Sequence, residues 1–202
     1  MAKTTTLKSY LHQAVDLFYK KDVPSLLDKN GELSASERSY VFRIAHYLQG
    51  MLSIDENFKD VVVDCEYSRA TSDEKDNLEK YMDLLGIYPD NTNKKKDGKR
   101  VFPDLVVHSR GNHKNNLMVV EFKGTWNVDN QAWDNDEKKL TAFTNDKPDN
   151  KLDNDIKQYF HYKIGIFVML GQSGAYYVNF KHGQQISKGE TIKSLQQKRR
   201  VL

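Results

Sequence analysis

Hydrophobic and polar positions change period several times along the chain. Leu7, Leu11, Val15 and Phe18 fall near helical spacing and predict a short amphipathic helix over 7–18. Residues 22–33 include Pro24, Gly31 and several polar side chains, and read as a connection. Over 34–52, Val41, Ile44, Ala45, Leu48 and Leu52 recur at three- and four-residue steps, the stripe of a second helix. The period then shortens. Residues 61–67 are β-rich and alternate, with Asp64 and Glu66 on one face and Val63 and Cys65 on the other. Residues 73–85 return to a helical pattern that ends at Gly86, and 90–99 form a polar loop.

Two strands are predicted next, over 100–108 and 117–123. The short connection Ser109-Arg110-Gly111-Asn112 implies that they pair antiparallel. Residues 134–144 and 153–162 read as helices. Residues 164–170 are almost unbroken apolar and predict a strand buried on both faces. A turn over 171–174 leads to a last strand at 175–180. Strands interleaved with helices in this order predict a single α/β domain over 1–202 with a central mixed sheet flanked by helices. Its expected parts are an N-terminal helical extension over 1–33, a core over about 34–180 and a basic tail over 181–202.

Composition bounds the chemistry. The 31 Lys and Arg against 28 Asp and Glu leave a net charge of +3, too mild to imply tight nonspecific binding to polyanions. Lys94, Lys95, Lys96, Lys99 and Arg100 cluster in one loop, and Lys198, Arg199 and Arg200 in the tail. Such runs are usually solvated, but they can contact phosphate. Cys65 is the single cysteine, which excludes an internal disulfide and a cysteine-based zinc cluster. With no signal-like segment and no apolar run of membrane-spanning length, the expected location is cytoplasmic, with no membrane partner.

The chemistry gathers at Pro103-Asp104 and Val119-Val120-Glu121-Phe122-Lys123. Strand alternation puts Glu121 and Lys123 on one face, about 6.6 Å apart at a rise of roughly 3.3 Å per residue. Met118, Val120 and Phe122 take the other. If the two strands pair, Asp104 joins Glu121 at one end of the sheet. Two carboxylates that close repel, and a divalent cation relieves the repulsion. Mg²⁺ suits a few carboxylates completed by water and substrate phosphate, with Mn²⁺ as a substitute. Lys123 would orient or deprotonate an attacking water, or neutralise charge on phosphate. The acidic-x-Lys spacing also occurs at Asp73-Lys75, Asp97-Lys99, Asp136-Lys138, Glu137-Lys139 and Asp155-Lys157, in polar or helical settings. Only Glu121-Lys123 ends an apolar strand.

On these residues the chain resembles the PD-(D/E)xK superfamily of restriction-endonuclease-like nucleases. The likeness extends over Glu37-Arg38-Ser39, residues 63–69, 101–111 and 116–123, and Asp136-x-x-Lys139-Leu140. It implies a restriction-endonuclease-like core in αβββαβ order. It further implies that Asp104 and Glu121 bind Mg²⁺ with the Phe122 carbonyl as a further ligand, that Lys123 is catalytic, and that Glu37 assists. The implied activity is metal-dependent hydrolysis of phosphodiester bonds in nucleic acid, DNA in preference to RNA. A homodimer would supply the two sites that cutting a duplex requires. The rivals are a catalytically inactive module of the same fold that binds nucleic acid or protein, and a carboxylate-pair hydrolase acting on sugars.

Several residues carry a structural alternative. Glu37 could close a capping box with Ser34. Asp64 and Glu66 are expected to pair with arginines, such as Arg69 or Arg38, rather than to line the site. Lys139, Arg100 and Lys99 are candidate phosphate contacts. Trp126 and Trp133 could stack on bases or simply pack. His108, His113 and His161 lack ligand spacing and are expected on loop or helix surfaces.

Overall fold

The computed structural model describes residues 2–29, 34–70, 78–79, 101–124, 130–146, 161–172, 174–187 and 189–193. Helix α1 (Ala2–Lys21) is followed by the one-turn α2 (Val23–Leu26) and by α3 (Glu37–Ser53). Strand β1 (Val62–Cys65) comes next, then the short β2 (Arg69–Ala70) and β3 (Leu78–Glu79). The chain continues through β4 (Leu105–His108), β5 (Met118–Gly124) and α4 (Asn130–Thr144). It ends with β6 (Ile164–Leu170), β7 (Gly174–Lys181), β8 (Gln184–Gln185) and β9 (Glu190–Lys193).

Seven strands form one mixed sheet in the order β1-β4-β5-β6-β7-β8, with β9 also on β7. β4 and β5 pair antiparallel, Leu105 opposite Val120 and Val107 opposite Met118. β5 and β6 are parallel, and α4 lies in the crossover between them. The remaining pairs in the sheet are antiparallel.

Each face of the sheet has its own core. Leu105, Val107, Val120, Phe122, Ile166 and Val168 point toward α1 and α3. Val106, Val119, Phe167 and Val178 pack with Leu140 and Phe143 of α4. β5 and β6 are therefore covered on both sides, and their near-continuous apolar sequences follow from that. Gly165 lets α4 lie close, because a Cβ there would meet Thr144 Cγ2 at 3.0 Å and Leu140 Cδ2 at 3.3 Å.

Several expectations change. α1 is longer than the expected helix, and its buried Leu7, Leu11 and Phe18 belong to the core shared by α3 and the sheet rather than to an extension. Part of the expected tail is sheet: β8 and β9 both pair with β7. The β7–β8 hairpin turns on His182 and Gly183 at φ of 53° and 68°. Positive φ at both central residues is what a two-residue hairpin of type I′ needs. Leu78 and Glu79, expected in a helix over 73–85, pair instead with Arg69 and Ala70, while the rest of that helix lies outside the described residues. The helix over 153–162, the lysine-rich loop over 90–99 and the end of the tail also fall outside them, apart from His161 and Tyr162. Among the described residues no helix is long and apolar enough to cross a membrane.

Candidate metal-dependent active site

The carboxyl end of β5 carries the chemistry. Glu121 is fully buried and Lys123 nearly so. Both share the α4 face with Val119, while Met118, Val120 and Phe122 fill the opposite core, as strand alternation requires. Asp104 sits in the bend just before β4. Its Oδ2 accepts the Phe122 N–H at 2.7 Å, which ties it to the residue after Glu121. The antiparallel β4–β5 register thus joins the two acids.

Glu37 reaches the same place from the first turn of α3, and its Oε1 lies 3.2 Å from Lys123 Nζ. The capping box with Ser34 does not form. Ser36 is the N-cap and accepts from the Ser39 N–H, while the Ser34 hydroxyl bonds to the Leu26 carbonyl. Relieved of that task, Glu37 points into the cluster.

Asp136 completes it and was not among the residues assigned to the site from sequence. It projects from α4 and is 3% exposed. Its Oδ1 lies 2.6 Å from Lys139 Nζ, and its Oδ2 lies 2.9 Å from Lys123 Nζ without the alignment of a hydrogen bond. Lys139 Nζ also reaches Glu121 Oε2 at 3.2 Å. The available signal was the three-residue spacing of Asp136 and Lys139, which places both on one helix face. Lys139, the expected phosphate contact, pairs with two carboxylates of the cluster.

The electrostatics are those of a crowded acidic pocket. Burial pushes Asp104 up to about 6, aided by Asp136 and Glu37 and opposed by the Phe122 N–H and Lys123. Burial likewise raises Glu121 far above the carboxylate range, with Asp104 next in effect and Lys139 pulling the other way. Burial disfavours the charge on Lys123, but Asp136, Asp104 and Glu37 outweigh it and hold the ammonium protonated. The same balance keeps Lys139 charged, through Glu121 and Asp136.

Four carboxylates, Glu37, Asp104, Glu121 and Asp136, therefore face two ammonium groups. Glu121 Oε1 is buried with no hydrogen-bond partner. An orphaned carboxylate oxygen beside a second carboxylate is what a divalent cation would satisfy. Asp104 and Glu121 fit that role. Among the described residues no three acidic, histidine or cysteine side chains converge as a ready-made cage, because lysines stand between the carboxylates. Mg²⁺ takes its remaining ligands from water and phosphate. The Phe122 carbonyl accepts from Lys123 Nζ at 3.2 Å, which leaves it one lone pair to offer.

The remaining candidates separate from this cluster. Arg100, Lys99 and Trp126 lie outside the described residues. Trp133 is half-buried and packs toward Phe167 at 6.4 Å between ring centroids, which is a core role. β1 ends at Cys65, so Glu66 leaves the strand at φ 51° and pairs with Arg38. Asp64 pairs with Arg110 and with His108 Nε2 at 2.9 Å. His108 is buried in β4 and not on a surface. His161 is half-buried just before β6, and His113 lies in a one-turn 3₁₀ segment.

Compared with protein-family models, with curated proteins and with solved structures, the chain finds no match.

Proposed function

We propose that this protein is a divalent-cation-dependent nuclease of restriction-endonuclease-like architecture that hydrolyses phosphodiester bonds, with DNA preferred over RNA. The observation that carries the proposal is the clustering of Asp104, Lys123 and Glu37 with Glu121 at the carboxyl end of β5, where Glu121 Oε1 is buried without a hydrogen-bond partner. These are the residues on which the PD-(D/E)xK resemblance rests. With the separate β2–β3 pair set aside, the order α3, β1, β4, β5, α4, β6 supports it as well, since it matches the αβββαβ order that the resemblance implies.

Mg²⁺ held by Asp104 and Glu121 would polarise the scissile phosphate and activate water. Lys123, kept charged by its acidic neighbours, neutralises the negative charge that grows on the phosphate and orients the attacking water. Glu37 and Asp136 hold the Lys123 ammonium from two sides. The rest of β5 excludes water behind the cluster, which strengthens each of these interactions.

The test is cleavage of plasmid and single-stranded DNA, with RNA in parallel, in Mg²⁺ or Mn²⁺ and in chelator. Expected are metal-dependent cutting and its loss in Glu121→Ala and Lys123→Ala. Full-rate cutting by both variants would overturn the assignment. No cutting by the folded, metal-bound protein would favour a binding module.

A further inference from the structure

Lys139 is already doing part of a cation's task. Its ammonium touches Glu121 Oε2 at 3.2 Å and Asp136 Oδ1 at 2.6 Å. Lys123, the other ammonium in the cluster, touches Glu37, Asp136 and the Phe122 carbonyl but makes no ion pair with Glu121. The two lysines therefore differ in what they neutralise. Lys139 occupies the carboxylate that the proposed metal requires, whereas Lys123 stands beside it.

We infer that Lys139 is a built-in counter-ion of Glu121, displaced when a divalent cation binds and then presented to the phosphate of the substrate. The inference rests on the metal reading of this cluster and adds a competing ligand to it. Asp136 supplies the pivot, because it lies three residues from Lys139 on the same helix and keeps its own contact when Glu121 is released. The Lys139 side chain is 18% exposed against 0% for Glu121, so it lies on the solvent side of the pair. Swinging about Asp136 carries its charge away from the metal and toward solvent, where a phosphate would arrive. A fully buried carboxylate without any counter-charge would be costly, so the lysine stabilises the metal-free protein. In exchange it lowers metal affinity, because its charge sits on Glu121 Oε2 and repels a cation arriving at the neighbouring Oε1.

Two measurements on the full chain test this. The first is calorimetric titration of Mg²⁺ and Mn²⁺ into the wild type and into Lys139→Met, which keeps the bulk of the side chain and removes its charge. Binding on the order of tenfold tighter in the variant is expected, from loss of a like charge a few ångströms from the metal. Equal or weaker binding would overturn the inference. The second uses wild type alone, so it does not depend on the variant folding. Limited acetylation, read by peptide mass, should label Lys139 several-fold faster in saturating Mg²⁺ than in chelator, with exposed Lys138 as the internal reference. Unchanged Lys139 labelling in a protein that demonstrably binds Mg²⁺ would overturn the displacement and leave the metal site standing. No calorimetric binding of either metal, in either protein, would overturn the metal reading and the inference with it.

Discussion

Replacing Asp104 with Asn should stabilise the metal-free protein while removing its response to metal. Asp104 ionises near 3.8 in an unfolded chain, and in the fold it is pushed up to about 6, mainly by burial. The sign follows from proton binding. Between those two values the folded state holds the proton and the unfolded state has lost it, so stability falls as pH rises across the window. Below about pH 4 the penalty is absent, and above about pH 6 it is complete. The gap corresponds to roughly 3 kcal/mol at neutral pH. Asn cannot ionise, and its Oδ1 can still accept the Phe122 N–H that Asp104 Oδ2 accepts at 2.7 Å. Its amide group needs a new partner, which costs about 1 kcal/mol. A net gain of about 1–2 kcal/mol remains, or roughly 2–8 °C in Tm for a chain of this size. Thermal melts in chelator at pH 7.5 and pH 4 measure it directly. The gain should appear at pH 7.5 and reverse at pH 4 to a loss of about 1 kcal/mol, where only the amide cost remains. Added Mg²⁺ should raise the wild-type Tm by mass action and leave Asp104→Asn unmoved. A variant less stable than wild type at pH 7.5, or a difference independent of pH, would refute the electrostatic account of this site.

Asp136→Asn removes the carboxylate that holds both lysines, and cleavage should fall about 10–100-fold with the circular dichroism spectrum unchanged; calorimetry should show weaker metal binding, because Lys139 then leans wholly on Glu121. Gly165→Ala drives a Cβ to 3.0 Å from Thr144 Cγ2, so it should cost about 1–3 kcal/mol in denaturant unfolding. Asp64, where the Arg110 and His108 hydrogen bonds outweigh burial, is held below the ordinary carboxylate value, so its contribution is present above about pH 3.8 and lost as pH falls further. Asp64→Asn should therefore lower Tm at pH 7, and the difference from wild type should shrink when melts are repeated below pH 3.

Long elements were legible because one periodicity governs each of them. The stripe from Val41 to Leu52 and the run from Ile164 to Leu170 state their burial outright, and α3 and β6 follow. The same-face placement of Glu121 and Lys123 needed only strand alternation. Asp104 needed one more step, the β4–β5 pairing, which a short connection made readable. Asp136 was harder. Nothing in the alternation of α4 says that a polar position faces a buried lysine, because its burial is created by strand β5 arriving from elsewhere. His108 failed for a related reason: its partner Asp64 is 44 residues away, and only the β1–β4 pairing brings them together. The short strands β2 and β3 rest on four paired residues, too few for any period to register. Glu37 shows competition between two local solutions. A Ser three residues before it suggested a cap, but Ser36 caps the helix and leaves Glu37 for Lys123.

In the proposed function Asp104 and Glu121 share one divalent cation. Anomalous diffraction from crystals soaked in Mn²⁺ tests it most directly. A single strong peak is expected within about 2.0–2.3 Å of Asp104 and Glu121 carboxylate oxygens, with Lys139 Nζ withdrawn from Glu121. A peak elsewhere, or a soaked crystal in which Lys139 still bridges Glu121 and Asp136 with no metal between the two acids, would contradict it.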